Sequence, residues 1–138
     1  MEKRFNNIQK KFIVDILRYL KNTNTCEWCL DVVRSKDEKQ NCLFGHVFNY
    51  GVNGFNYDGK KYYGEVGGQT AWELFECFVA TTYTVYDVND GKNSQYQQNT
   101  SKERCIKYIY NILTGVEKNT AESMEECYKS SLSKNLIS

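Results

Sequence analysis

The sequence predicts a mainly α fold: a bundle of five to six helices carrying one small β-hairpin, in a single domain over residues 1–138. Three observations predict it. Apolar residues recur at three- and four-residue spacing in several separate windows, the pattern of amphipathic helices. One stretch, residues 51–68, departs from that pattern: it is rich in Gly and Tyr and sets Asp58-Gly59 between short aromatic segments. The 138 residues are 41% hydrophobic and 25% charged, which is ordinary for one globular domain and enough to bury a core without staples.

Taken in order, the first helix runs from Asn6 to Leu20, with Ile8, Phe12, Ile13, Ile16, Leu17 and Leu20 on its inner face. Asn22-Thr23-Asn24-Thr25 ends it. A short second helix is expected from Cys26 to about Ser35, turning Trp28, Cys29, Val32 and Val33 inward. A third carries Cys42, Leu43, His46, Val47 and Tyr50 and stops at Gly51. Residues 51–68 then form a hairpin or mobile insert. The fourth helix, Thr70 to about Ala80, is apolar nearly all round and belongs at the centre of the core. Thr81–Val88 is β-branched and aromatic with period-two alternation, which reads as a short strand. Asn89-Asp90-Gly91 is a turn, and Lys92–Asn99 a polar loop. Thr100 and Glu103 have capping-box spacing before a helix lined by Cys105, Ile106, Ile109, Ile112 and Leu113, with Gly115 as its stop. A last helix is expected from about Asn119, burying Met124, Cys127, Tyr128 and Leu132.

The bulk numbers exclude some functions. A net charge of +1, with Lys and Arg spread among the acids, gives no basic stripe for phosphate, so nucleic acid is not an expected partner. No run of apolar residues approaches the roughly 18 needed to span a membrane. The first residues lead into a mixed segment rather than the apolar core of an export signal. Six cysteines in such a chain suit a reducing, cytoplasmic setting, where thiols pack, bind metal or attack.

The sharpest local pattern is Cys26-x2-Cys29-x12-Cys42-x3-His46, the spacing of a tetrahedral Cys₃His zinc site. The plainer reading is reduced core cysteines: the intervening Leu30–Arg34 looks helical, and there is no Gly turn at the knuckle. Cys42 and His46, four apart, could also pair as nucleophile and base, against a core histidine with its hydrogen bond satisfied. Glu73 and Glu76 could share a face for acid–base work, but a solvated helix edge is the commoner outcome. Gly64-Glu65-Val66-Gly67-Gly68 could open a phosphate loop; lacking a Lys-Ser/Thr pair, it reads better as a hinge. The 11 tyrosines suggest a binding surface, since exposed Tyr supplies rigid amphipathic area. Tyr57, Tyr62, Tyr63 and Tyr96 are the candidates.

The order of features also resembles a known domain. Cys42-Leu43-Phe44-Gly45 opens a helix; a variable insert follows; then come Ala71-Trp72, Val88-Asn89-Asp90, and Thr100 with Glu103. This is similar to a small uncharacterised domain of bacteria and their phages, with a Cys-x-Leu-Gly-Ala helix, an Asn-Asp loop and a Thr-x-x-Glu-Val helix. The likeness covers about residues 26–115. The chain departs at His46, where that family has Ala, and in its Gly/Tyr insert. The family brings no activity to carry over. It implies a compact helical fold, a phage or mobile-element setting in the host cytoplasm, and a turn-forming role for Asn89 and Asp90.

The expectation is therefore a non-enzymatic accessory that works without a cofactor by binding a host or defence protein; a homo-oligomer is compatible with it. Two alternatives stand beside it. One is a zinc-binding regulatory or nucleic-acid-binding module on Cys26, Cys29, Cys42 and His46. The other is a small-ligand or nucleotide-sequestering protein with a pocket near Gly64–Gly68 and Asn89–Asp90.

Overall fold

A computed structural model describes residues 5–37, 39–79 and 82–115, without the side chains of residues 82 and 83. The final helix expected around Met124, Cys127, Tyr128 and Leu132 lies outside the described residues. Within them the fold is mainly α, as the periodicity predicts. Helices α1 (Asn7–Lys21), α2 (Leu43–Asn53), α3 (Gly64–Val79), α4 (Thr82–Asp90) and α5 (Ser101–Thr114) surround one core. Strands β1 (Phe55–Tyr57) and β2 (Lys60–Tyr62) form the hairpin.

Helix α1 begins at a capping box: Asn6 Oδ1 accepts from the Gln9 amide and Gln9 Oε1 accepts from the Asn6 amide, both at 2.8 Å. Its inner face is the expected one from Phe12 onward. Ile8 is the exception, half-exposed at the rim of a shallow groove between α1 and the hairpin turn. The Lys102 ammonium reaches the carbonyls of Lys21 and Thr23. It places a cation where the α1 dipole is negative.

The expected helix over 26–35 is not formed. A single 3₁₀ turn, Thr25–Glu27, gives way to an irregular loop. Two features stop the helix. Trp28 is turned into the core, where its indole N–H donates to Thr23 Oγ1 at 2.9 Å and its ring packs 4.3 Å from that of His46. Asp31 has φ +66°, a left-handed conformation no helix continues through. Backbone bonds close the loop on itself: the Cys29 amide donates to the Asn41 carbonyl at 3.1 Å, and the Cys42 amide to the Val33 carbonyl at 2.9 Å.

The Gly-rich stretch is not a hinge. Helix α3 starts at Gly64, six residues earlier than expected, and Gly67 and Gly68 are buried in it. They are there so that α2 and α3 can touch backbone to backbone. A Cβ on Gly51 would lie 2.1 Å from the Gly67 carbonyl oxygen, and one on Gly67 would lie 2.3 Å from that of Gly51. Only glycine fits either position. Helix α2 correspondingly runs past Gly51 to Asn53. The hairpin pairs Phe55 with Tyr62 and Tyr57 with Lys60, and both Asp58 and Gly59 take positive φ, as the sequence predicts for this turn.

The expected strand over 81–88 is instead α4. A strand needs a partner, and among the described residues the only sheet is the hairpin. Val85, Val88 and Asn89 face the core at helical spacing. The carbonyls at the end of α4 are capped by a buried Arg104: Nε donates to Val88 O at 2.9 Å and Nη2 to Asn89 O at 2.8 Å. Thr100 caps α5 through the Glu103 amide at 3.1 Å, but the Glu103 carboxylate meets the Thr100 hydroxyl instead of completing a box. Gly115 ends α5 at φ +88°, the left-handed stop expected there.

Candidate functional site

Each predicted site residue has a definite place, and the zinc set does not come together. Cys26 is exposed on the 3₁₀ turn. Cys29 is half-buried, its thiol 3.5 Å from the Val32 carbonyl. Cys42 is buried, and it is the N-cap of α2, not a residue within it. Its extended backbone (φ −80°, ψ −176°) removes it from the helical face it was expected to share with His46. The His46 ring instead lies against Trp28, and its Nε2 bonds the Glu27 carbonyl at 3.0 Å. Among the described residues, no group of three or more His, Cys, Asp or Glu side chains is placed to hold an ion.

The Nε2 of His46 is taken by the Glu27 carbonyl rather than by the Cys42 thiol. Burial pushes the Cys42 thiol up and, with Asp90 nearby, raises Cys29; full burial takes Cys105 well above the ordinary thiol range. Protonated thiols are poor nucleophiles. Burial also drives His46 down to about 4, so the imidazole is neutral at physiological pH. Glu73 and Glu76 lie along the outer edge of α3. Glu73 accepts from Gln69 at 2.8 Å, and Glu76 is raised mainly by partial burial.

The tyrosine surface is also corrected. Tyr57 and Tyr62 point inward from the hairpin onto the core, where Phe12 meets the Tyr57 ring edge-on. Tyr96 is buried against Tyr108, and its hydroxyl accepts from Asn111. Of the four, Tyr63 alone is exposed. Alternation across a hairpin puts every second side chain inward, and composition cannot say which set that is.

Asn89 and Asp90 do more than fix a turn. Asn89 has no solvent exposure and joins segments far apart in sequence. Its Oδ1 accepts from the Leu43 amide at 3.1 Å, the first free amide of α2. Its Nδ2 donates to the Cys29 carbonyl and to Asp90 Oδ1, both at 3.0 Å. Asp90 Oδ1 in turn accepts from the Asp31 amide at 3.0 Å. Lys92 lies 3.7 Å from the Asp31 carboxylate.

The loop from Cys29 to Val32 is thereby a fixed knuckle. The strained backbone of Asp31 is held by bonds arriving from α4, about 60 residues later in the chain. The knuckle presents two aliphatic side chains to solvent: Leu30 is 48% exposed and Val32 52%. Tyr86, one turn before Asp90 on the same side of α4, is also partly exposed. Asp31 and Lys92 give this apolar group a charged edge. None of these was a sequence candidate, because Leu30 and Val32 read as the face of a helix.

The other side of the same loop walls a polar cleft of about 720 Å³, between the end of α1 and the start of α2. Tyr19, Glu27, Asn41, His46 and Asn49 line it. Where a pocket was expected near Gly64–Gly68 and Asn89–Asp90, Gly67 and Gly68 are packed against α2 and Asn89 is enclosed. No family model, no curated protein and no solved structure matches this chain.

Proposed function

We propose that the chain is a non-enzymatic binding protein that docks on another protein through the Leu30–Val32 knuckle and needs no cofactor to do so. The observation that carries this reading is the pairing of rigidity with exposure. Short loops that put aliphatic side chains into water gain nothing from them in the free state. Here the chain also accepts a left-handed Asp31 and commits a buried Asn89 to hold the loop in place. Prior ordering lowers the entropy cost of association, so a fixed apolar group with a charged rim suits a partner carrying an apolar socket. The setting, an accessory of a phage or mobile element acting on a host or defence protein, rests on the resemblance of residues 26–115 to the phage-borne domain.

The test compares the wild-type chain with L30D/V32D as bait in bacterial lysate. Both residues are about half exposed on an irregular loop, so the double variant is expected to keep its circular dichroism and its Tm within a few degrees. The wild type should retain a stoichiometric protein that the variant loses. Recovery of the same proteins by both baits, or of none by the wild type, contradicts the proposal.

A further inference from the structure

The knuckle sets a condition on whatever docks there. Leu30, Asp31 and Val32 are consecutive, and all three are exposed: Leu30 at 48%, Val32 at 52% and the Asp31 side chain at 70%. The left-handed backbone at Asp31, pinned by the bond from its amide to Asp90, holds the acid between the two aliphatic residues. A socket that takes Leu30 and Val32 out of water therefore takes Asp31 with them. A carboxylate that loses its water without gaining a partner opposes the gain from the aliphatic pair.

The chain itself does not supply that partner. The carboxylate accepts no hydrogen bond from a described residue, and the cation nearest it among them, the Lys92 ammonium, stands 3.7 Å from Oδ1, beyond hydrogen-bond length. Both ends of that pair are largely in water, where such pairs contribute little. Neutralisation has to come from the other side of the interface.

We infer that the protein docking on the knuckle presents an arginine to Asp31, set between its sockets for Leu30 and Val32. The inference rests on the docking reading above and names the partner's chemistry. Arginine fits better than lysine. Both carboxylate oxygens lack a hydrogen bond, a planar guanidinium engages two oxygens at once, and it gives up its water more readily than an ammonium. Arginine is also enriched at protein interfaces, where lysine is depleted.

The experiment takes the protein that the wild-type chain retains from bacterial lysate and measures its binding to D31N, K92A and L30D/V32D. Asparagine accepts the left-handed backbone as aspartate does, so D31N removes the charge and leaves the shape of the knuckle. D31N should weaken binding at least about tenfold and flatten its salt dependence, as a lost hydrogen-bonded charge pair does. K92A should bind at least as tightly as the wild type. At saturation, one arginine of the retained protein should be shielded from phenylglyoxal by the wild type and left reactive by D31N. D31N binding as tightly as the wild type, no arginine shielded, or K92A losing as much as D31N would overturn the inference, the last because Lys92 would then be the neutralising group. Those results leave the docking reading in place so long as L30D/V32D loses the protein. If that variant binds as the wild type does, or the wild type retains nothing, the docking reading falls and this inference falls with it.

Discussion

At the scale of single residues, Asn89 and His46 carry the most consequence. Asn89 satisfies the Leu43 amide and the Cys29 carbonyl inside the protein, and its oxygen also lies 3.7 Å from the Cys105 thiol. Asn89→Ala leaves the buried Leu43 amide unpaired and removes the partner of the half-buried Cys29 carbonyl. A loss of about 2–4 kcal/mol is expected in urea denaturation, from these unsatisfied groups and a small cavity. His46 makes stability depend on pH with a definite sign. The folded protein resists protonating it until about pH 4, whereas the unfolded chain takes the proton near its ordinary value of 6.5. The unfolded state therefore binds more protons between those values, so stability is full above pH 6.5 and falls as pH drops toward 4. The loss should be roughly 2–3 kcal/mol. His46→Gln should flatten that part of the profile in chemical denaturation at stepped pH; an unchanged slope would place the titration elsewhere. The sequence singles out both residues without showing their partners. His46 is the core histidine with a satisfied hydrogen bond that the plainer reading expects, and the groups it meets are Glu27 and Trp28 rather than Cys42. Asn89 was assigned to its own turn, and it bonds a loop 60 residues earlier. Short spacing shows only local neighbours, and both of these bonds are tertiary.

At the scale of elements, the helices with a clear apolar stripe were legible and the others were not. Helices α1 and α5 matched to within a residue or two at their ends because cap, stripe and stop agree in each. Helix α4 was hidden by propensity: Val, Thr and Tyr favour strands, and period-two alternation over eight residues overlaps a helical pattern enough to mislead. Burial of Val85 and Val88 and capping by Arg104 decide the matter. The start of α3 was hidden because glycine signals both flexibility and close contact, and sequence alone does not separate the two. The contact reading is testable. Gly51→Ala forces a methyl group into the α3 backbone, so the helices must part. It should cost at least the roughly 1–3 kcal/mol of overpacking. Gly59→Ala, at a hairpin turn with nothing within 4 Å, has only its positive φ to resist and should cost less. Equal losses in thermal melts would mean that backbone contact between α2 and α3 is not what the glycines serve.

At the scale of the whole molecule, the architecture sets a packed interior beneath one irregular loop that has two distinct faces. Of the residues the sequence offers as a site, Cys42, His46, Tyr57, Tyr62 and Tyr96 are buried and Cys29 is half-buried. The segment between α1 and α2 has almost no regular structure, yet it is tethered to α4 through Asn89 and Asp90. One side displays Leu30 and Val32; the other walls the cleft. The near-neutral charge is legible in the composition, but composition could not place an apolar knuckle that depends on α4 for its shape.

If the knuckle docks as proposed, it is ordered before any partner arrives, and amide hydrogen exchange on the free protein reads that order. The amides of Cys29 and Asp31, bonded to the Asn41 carbonyl and the Asp90 carboxylate, should exchange at least tenfold more slowly than an unstructured chain, and Asn89→Ala should erase that protection at Asp31 first. Exchange at the free-chain rate across residues 29–32 in the wild type would contradict it.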